Sequence, residues 1–210
     1  MRRIRHHVNP LQSKFHRVAG EGVADLVPAA GEVEVELGCA DALFLFERAA
    51  ARPDVTCVGV EIRENLVADV NQRARAAGLA NLHAVFANAN TDLDVLFPDR
   101  RLDRVFVNFP DPWFKRRHHK RRVMNADLAT SLARKLAPPG PSGAGQLFFQ
   151  SDIFELALDA MAVLEDSELF DNRFGPWSFC PTNPFAARSL REVRCDERGW
   201  RVWRMLYARR

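Results

Sequence analysis

From Gly31 onward the chain alternates short apolar runs with helix-length segments, and that alternation constrains the fold more than any other feature. Residues 32–37 alternate acidic and apolar side chains, the period of a strand, and Gly38 breaks the pattern. Residues 43–51 read as a helix, 55–60 as a second strand ending at Glu61, and 63–77 as a helix with Gly78 at its carboxyl cap. Strands are expected over 82–86, 104–109 and 146–150, and helices over 126–136 and 154–164. Pro110-Asp111-Pro112 closes the fourth strand abruptly, residues 138–145 form a Pro/Gly-rich loop, and residues 201–208 have strand composition. Strands alternating with helices predict an α/β fold, a Rossmann-like, doubly wound, mostly parallel sheet with helices on both faces. Residues 1–30 carry basic groups with weak periodicity and are expected to be a loosely ordered arm, leaving 31–210 as a single domain.

In such sheets a ligand sits beyond the carboxyl ends of the strands. That rule nominates Gly38, Glu61, Asn88 and Asp111 as one neighbourhood, because each follows a strand. A net charge of +3 is modest, so the position of the basic residues carries more information than their total. Cys39, Cys57, Cys180 and Cys195 form no CxxC pair, which argues against a zinc or redox site. Scattered, reduced thiols fit the cytoplasm. The basic start, Met1 to His7, is followed by no apolar run, so neither a secretory leader nor a membrane span is expected.

Three motifs carry chemistry. The first is Glu36-Leu37-Gly38-Cys39-Ala40-Asp41-Ala42, with Glu61 about 20 residues later. A glycine turn lets backbone approach a nucleoside, and an acid after the second strand can hold both ribose hydroxyls. The dinucleotide fingerprint with its three glycines is absent, which favours a ligand without phosphates. The plain alternative is a strand-turn-helix with a surface glutamate. The second motif is Asn108-Phe109-Pro110-Asp111-Pro112-Trp113-Phe114-Lys115, where two prolines stiffen a loop able to hold a carboxylate and an aromatic ring against a planar base. The third is the run Lys115 to Arg122, eight consecutive Lys, Arg or His residues. Such a run repels itself unless it meets phosphates, and here it abuts the second motif, which favours nucleic acid over a merely solvated charge run. No set of spacings suggests a metal, and no P-loop or nucleophile elbow is present. Phe44 and Phe46 read as core, and Asp92 and Asp94 as solvated.

The stretch Phe109 to Arg122 resembles the signature of the bacterial tRNA (guanine-N7)-methyltransferases. Glu36-Leu37-Gly38 is similar to that family's first cofactor motif, and Ser189-Leu190-Arg191-Glu192 to its Thr-x-x-Glu substrate motif. Gly199 and Val202-Trp203 match its carboxyl-terminal strand, so the resemblance runs from about Gly31 to the end. The chain departs from the family at Ala40 and Ala42, where glycines are usual, at Asn88, where the family has aspartate, and at Ser189, where it has threonine.

The resemblance implies a class I methyltransferase fold and S-adenosylmethionine as methyl donor. It implies Glu36, Gly38, Glu61, Asn88 and Asp111 as cofactor contacts. Lys115, Asp152, Ser189 and Glu192, with Arg116, Arg117, Arg121 and Arg122 of the basic run, become tRNA contacts. The implied product is 7-methylguanosine at position 46 of the variable loop. Guanine N7 carries a lone pair in the ring plane, so attack on an activated methyl group needs no base. Positive charge appears on the purine, and a carboxylate at Asp111 would stabilise it. The alternatives are a catalytically silent RNA-binding relative with an altered cofactor pocket and, less supported, a nicotinamide-dependent oxidoreductase.

Overall fold

The computed structural model describes residues 8–12, 14, 27–140 and 143–210. The strands are β1 (Glu32–Leu37), β2 (Val55–Glu61), β3 (Leu82–Phe86), β4 (Arg104–Asn108), β5 (Gln146–Ser151), β6 (Phe170–Asn172) and β7 (Trp203–Arg209). The helices are α1 (Leu43–Ala51), α2 (Glu64–Ala76), α3 (Ala89–Leu96), α4 (Ala126–Lys135), α5 (Phe154–Asp166) and α6 (Leu190–Glu197), with a 3-10 helix over Arg116–Arg121. The strands form one seven-stranded sheet in the order β3-β2-β1-β4-β5-β7-β6. β1 to β5 are parallel, and β7 runs antiparallel between β5 and β6. The doubly wound expectation is therefore met, with an antiparallel edge added by the end of the chain. β1 and β4 are neighbours in space with two strands between them in sequence, so the strand order reverses there and opens a crevice.

The apolar residues of β1, Val33, Val35 and Leu37, pack with α3, α4 and α5 on one face of the sheet. Val55 and Cys57 of β2 and Phe106 of β4 pack with α1 and α2 on the other. Phe106 lies 4.7 Å from Phe44 and 4.9 Å from Phe185, ring centre to ring centre, so these aromatics belong to the core, as expected. Two of the three acids on β1, Glu34 and Glu36, are buried. Glu34 is 0% exposed and is held by Arg48 of α1 and Arg104 of β4.

Four short elements lie outside the expected set, the 3-10 helix over Arg116–Arg121 among them. α3 begins at Asn88, whose side chain accepts from Asn90 N. Asp92, expected to be solvated, is fully buried and accepts from Asn88 N at 2.9 Å and from the Thr91 hydroxyl at 2.8 Å. A carboxylate on the first turn that closes back on the helix start has left water for backbone donors. Asp94 remains about half exposed. α6 hides its signal because its buried residues are Glu192 and Cys195 rather than an apolar stripe. β6 has only three residues. Of the arm expected over 1–30, residues 8–12, 14 and 27–30 are described and the rest lie outside the described residues.

Candidate active site

The loops after β1, β2, β3 and β4 meet around a cavity of about 330 Å³. Its wall contains Glu36, Gly38, Glu61, Asn88 and Asp111, so four loops far apart in sequence converge where the strand-end rule placed them. The volume falls in the range of small-molecule sites.

The β1 loop is shaped by backbone. Gly38 has φ +75° and donates to Val60 O at 2.7 Å, and a Cβ there would meet nothing within 4 Å. Ala40 and Ala42 adopt φ 50° and 56°, the left-handed region that glycine enters without cost. The two alanines thus stand in backbone that would suit the glycines usual at these positions. One tertiary and one local bond hold them there, for Ala40 N donates to Glu61 Oε2 at 2.9 Å and Ala42 N closes a turn on Cys39 O at 2.7 Å.

Glu36 is 3% exposed. Its Oε1 accepts from Asn108 Nδ2 at 2.7 Å, and its Oε2 is buried without a hydrogen-bond partner. Burial pushes its carboxyl up to about 8, the Asn108 donor opposes that shift, and Asp41 and Glu61 add to it. A carboxyl with an unused buried oxygen in a cavity wall fits a cationic donor from a ligand. Glu61 is fully engaged. Arg63 donates to Oε1 from its backbone N at 3.0 Å and from Nε at 2.8 Å, and Arg63 Nη2 joins Ala40 N on Oε2. A ribose on Glu61 would have to share it with Arg63. Asn88 spends its oxygen on the start of α3 and its Nδ2 on Pro10 O at 3.0 Å, which brings the segment around Val8 and Pro10 to the cavity rim.

The Pro110-Asp111-Pro112 loop is bracketed by Phe109 at φ 49° and Trp113 at φ 45°. Left-handed backbone at Phe109 ends β4 one residue earlier than expected. Bulky residues in that region cost about 1–2 kcal/mol each, and such outliers gather at functional sites. Asp111 is half-buried in the cavity wall and close enough to Arg63 to raise the arginine's pKa, an effect that follows that of the Glu61 bond.

The basic run is the 3-10 helix that leads away from this loop, and it divides into two sets. Lys115, Arg116 and Arg117 are exposed and lie outside the cavity wall. Arg121 lines the cavity, stacks 5.0 Å above the Trp113 ring, and has a buried Nε without a hydrogen-bond partner. Arg122 turns inward, donating to Pro112 O at 2.9 Å and pairing with Asp159 of α5. It fastens the loop, so the expectation of an RNA contact fits the other three arginines better.

The carboxyl-terminal motif also divides. Ser189 lines the cavity and caps α6 by accepting from Glu192 N. Asp152 stands outside the cavity wall and is paired with Arg191, which lines it. Glu192 is 1% exposed, its carboxylate taken by Gln150, Asn183 and Arg204, so in this state it meets no substrate. Sequence reasoning missed Arg191 and Arg194, which line the cavity three residues apart on α6. Their spacing was the available signal, but α6 buries only Glu192 and Cys195 and so has no apolar stripe to mark it as a helix. Among the described residues no cluster of three or more His, Cys, Asp or Glu could hold a metal ion, and no helix is long and apolar enough to cross a membrane.

A family model described as "Putative methyltransferase" matches residues 30–205. A protein of Synechococcus elongatus named tRNA (guanine-N(7)-)-methyltransferase is 38% identical, the alignment covering 99% of this chain and 96% of the relative. One of the same name from Synechocystis sp. is 36% identical, covering 99% and 97%. Among solved structures, the 16S rRNA methyltransferase KamB superposes with a TM-score of 0.63 at 14% identity over 89% of this chain and 92% of that one. The aminoglycoside resistance methyltransferase NpmB1 gives 0.56 at 18% identity over 89% and 91%. At those identities the structural likeness is one of fold.

Proposed function

The chain belongs to the tRNA (guanine-N7)-methyltransferase family, and from that premise we propose that it transfers a methyl group from S-adenosylmethionine to N7 of a guanine in tRNA. The observation that carries the reading is the shared wall of one cavity. Glu36, Gly38, Glu61 and Asn88 form one side, the strained Asp111 loop forms another, and an exposed basic helix leaves that loop without a spacer. The target is guanine 46 of the variable loop and the compartment is the cytoplasm, as the family resemblance implies.

The bound donor supplies a methyl group activated on a sulfonium sulfur. Everything else falls to the chain's residues. Glu36 offers its unused oxygen to a cationic group, and Glu61 with the Gly38 turn offers a charged acceptor beside open backbone. Asn88 holds the start of α3 and the Pro10 segment at the rim. Lys115, Arg116, Arg117 and Arg121 meet RNA phosphates, and Ser189, with the Asp152–Arg191 pair, borders the substrate side. Asp111 orients the guanine edge and stabilises the positive charge that methylation leaves on the purine.

Incubation with tritium-labelled S-adenosylmethionine and unmodified tRNA, followed by nucleoside analysis and mapping, should give labelled 7-methylguanosine at position 46. No label, beside an active control enzyme, would leave only an RNA-binding relative. Label at another guanine would correct the position alone. Asp111→Ala should lower turnover by about 10²–10³-fold while donor affinity changes much less.

A further inference from the structure

A line of buried polar side chains runs under the cavity from β1 to β7. Asn108 Nδ2 donates to Glu36 Oε1 at 2.7 Å, and Gln150 Nε2 donates to Asn108 Oδ1 at 2.9 Å. The same Gln150 nitrogen donates to Glu192 Oε2 at 3.0 Å. Glu192 Oε1 accepts from Arg204 Nη2 at 2.8 Å, and Asn183 Nδ2 reaches both carboxylate oxygens at 3.2 and 3.0 Å. Strand register builds the line, since Gln150 is paired with Asn108 on one side and with Arg204 on the other.

The direction of this line follows from what each group can donate. A carboxylate beside Arg204 and Asn183 has only lone pairs to offer, so Gln150 must turn its amide nitrogen toward Glu192. The second hydrogen of that nitrogen then points at Asn108. Asn108 must answer with its oxygen, which leaves its own nitrogen facing Glu36. We propose that Glu192 is a positioning residue: through Gln150 and Asn108 it fixes the direction of the amide chain and so keeps a hydrogen-bond donor against Glu36 in the cavity wall.

The reverse direction has a definite consequence. Asn108 would present Oδ1 to Glu36, which is tolerable only when Glu36 carries a proton. Glu36 already faces burial and the carboxylates of Asp41 and Glu61, and Cys39 beside it is pushed well above the usual thiol range and stays neutral. Arg63 is committed to Glu61. Asn108 is therefore what favours the ionised form.

The proposal makes a prediction of sign. A negative charge at position 192 acting directly on Glu36 would raise its pKa, so deleting that charge alone would lower it. In Glu192→Gln, Arg204 and Asn183 claim the one remaining oxygen and the new amide nitrogen falls to Gln150. The chain then reverses and the pKa of Glu36 rises.

The test is a pH titration of the Glu36 carboxyl carbon by 13C NMR in the ligand-free protein, with Glu36→Gln identifying the signal. Glu192→Gln should raise the midpoint by about one unit. Gln150→Met severs the line without reversing it and should raise the midpoint by less. A lowered or unchanged midpoint in a cooperatively unfolding Glu192→Gln protein overturns the proposal. If that variant does not fold, an unchanged midpoint in Gln150→Met does so. Isothermal titration with S-adenosylmethionine adds a readout that rests on the function proposed above, with Glu192→Gln binding several-fold more weakly near neutrality and recovering as pH rises. Failure of the wild-type protein to bind the donor at any pH would count against that function and leave the titration result standing.

Discussion

Glu34 and Glu36 stand two residues apart on the same face of β1, and both are buried. Arg48 Nε and Arg104 Nη1 each donate to Glu34 at 2.9 Å, one on either oxygen. Glu36 has a single amide donor, an unpartnered oxygen and two acidic neighbours. The same residue type on the same strand thus ends as a structural ion pair at one position and as an incompletely partnered carboxyl in a cavity wall at the other. Position on the strand decides burial, and the helices and loops opposite decide what burial does.

Removing the anion from the structural pair should have the largest effect. Glu34→Gln leaves two guanidiniums facing a buried neutral side chain and should cost about 3–5 kcal/mol in urea unfolding, as breaking buried pairs does. A loss below about 1 kcal/mol would mean that water replaces the carboxylate and that the two glutamates differ less than their partners suggest. Glu36→Gln should reverse the pattern, changing stability little while weakening S-adenosylmethionine binding about 10–100-fold, the effect of losing a charge-assisted hydrogen bond. Unchanged calorimetric affinity would move the cationic group elsewhere in the cavity.

The two positions should also part in their response to pH. Because the Glu36 pKa is raised, the folded state holds a proton that the unfolded state releases. Its contribution to stability is full below the ordinary glutamate range and is lost as pH rises through about 8. Donor affinity should move the opposite way over that window, rising as the carboxylate forms. Unfolding and binding curves at several pH values check both slopes, and Glu36→Gln should flatten both. The smallest effect belongs to the loop beside it. Ala40→Gly relieves a left-handed alanine and should stabilise by up to about 1 kcal/mol, seen as a small rise in melting temperature.

The parallel half of the sheet was legible because its strands are apolar and its breaks are marked, as at Gly38, Gly78 and Pro110. The convergence of Glu36, Glu61, Asn88 and Asp111 was legible for the same reason, since strand ends are a property of topology. What stayed hidden depends on pairing across the fold. Nothing local distinguishes Arg122, which fastens Pro112, from Arg116, which is exposed in the same run. Glu192 is implied as a tRNA contact by the family resemblance, yet Gln150 and Arg204 from two strands bury it. Asp92 reads as solvated until the start of α3 supplies its donors.

The left-handed pair Phe109 and Trp113 has a thermodynamic consequence for the encounter with RNA. Their conformational cost falls on folding, where the whole domain cooperates to meet it, and not on association. A guanine seated against Asp111, as proposed above, would meet a loop already ordered by folding. The ordering entropy that a flexible loop would subtract from affinity is absent, and relaxing the strain should leave a more stable protein with a slower, looser grip on its base.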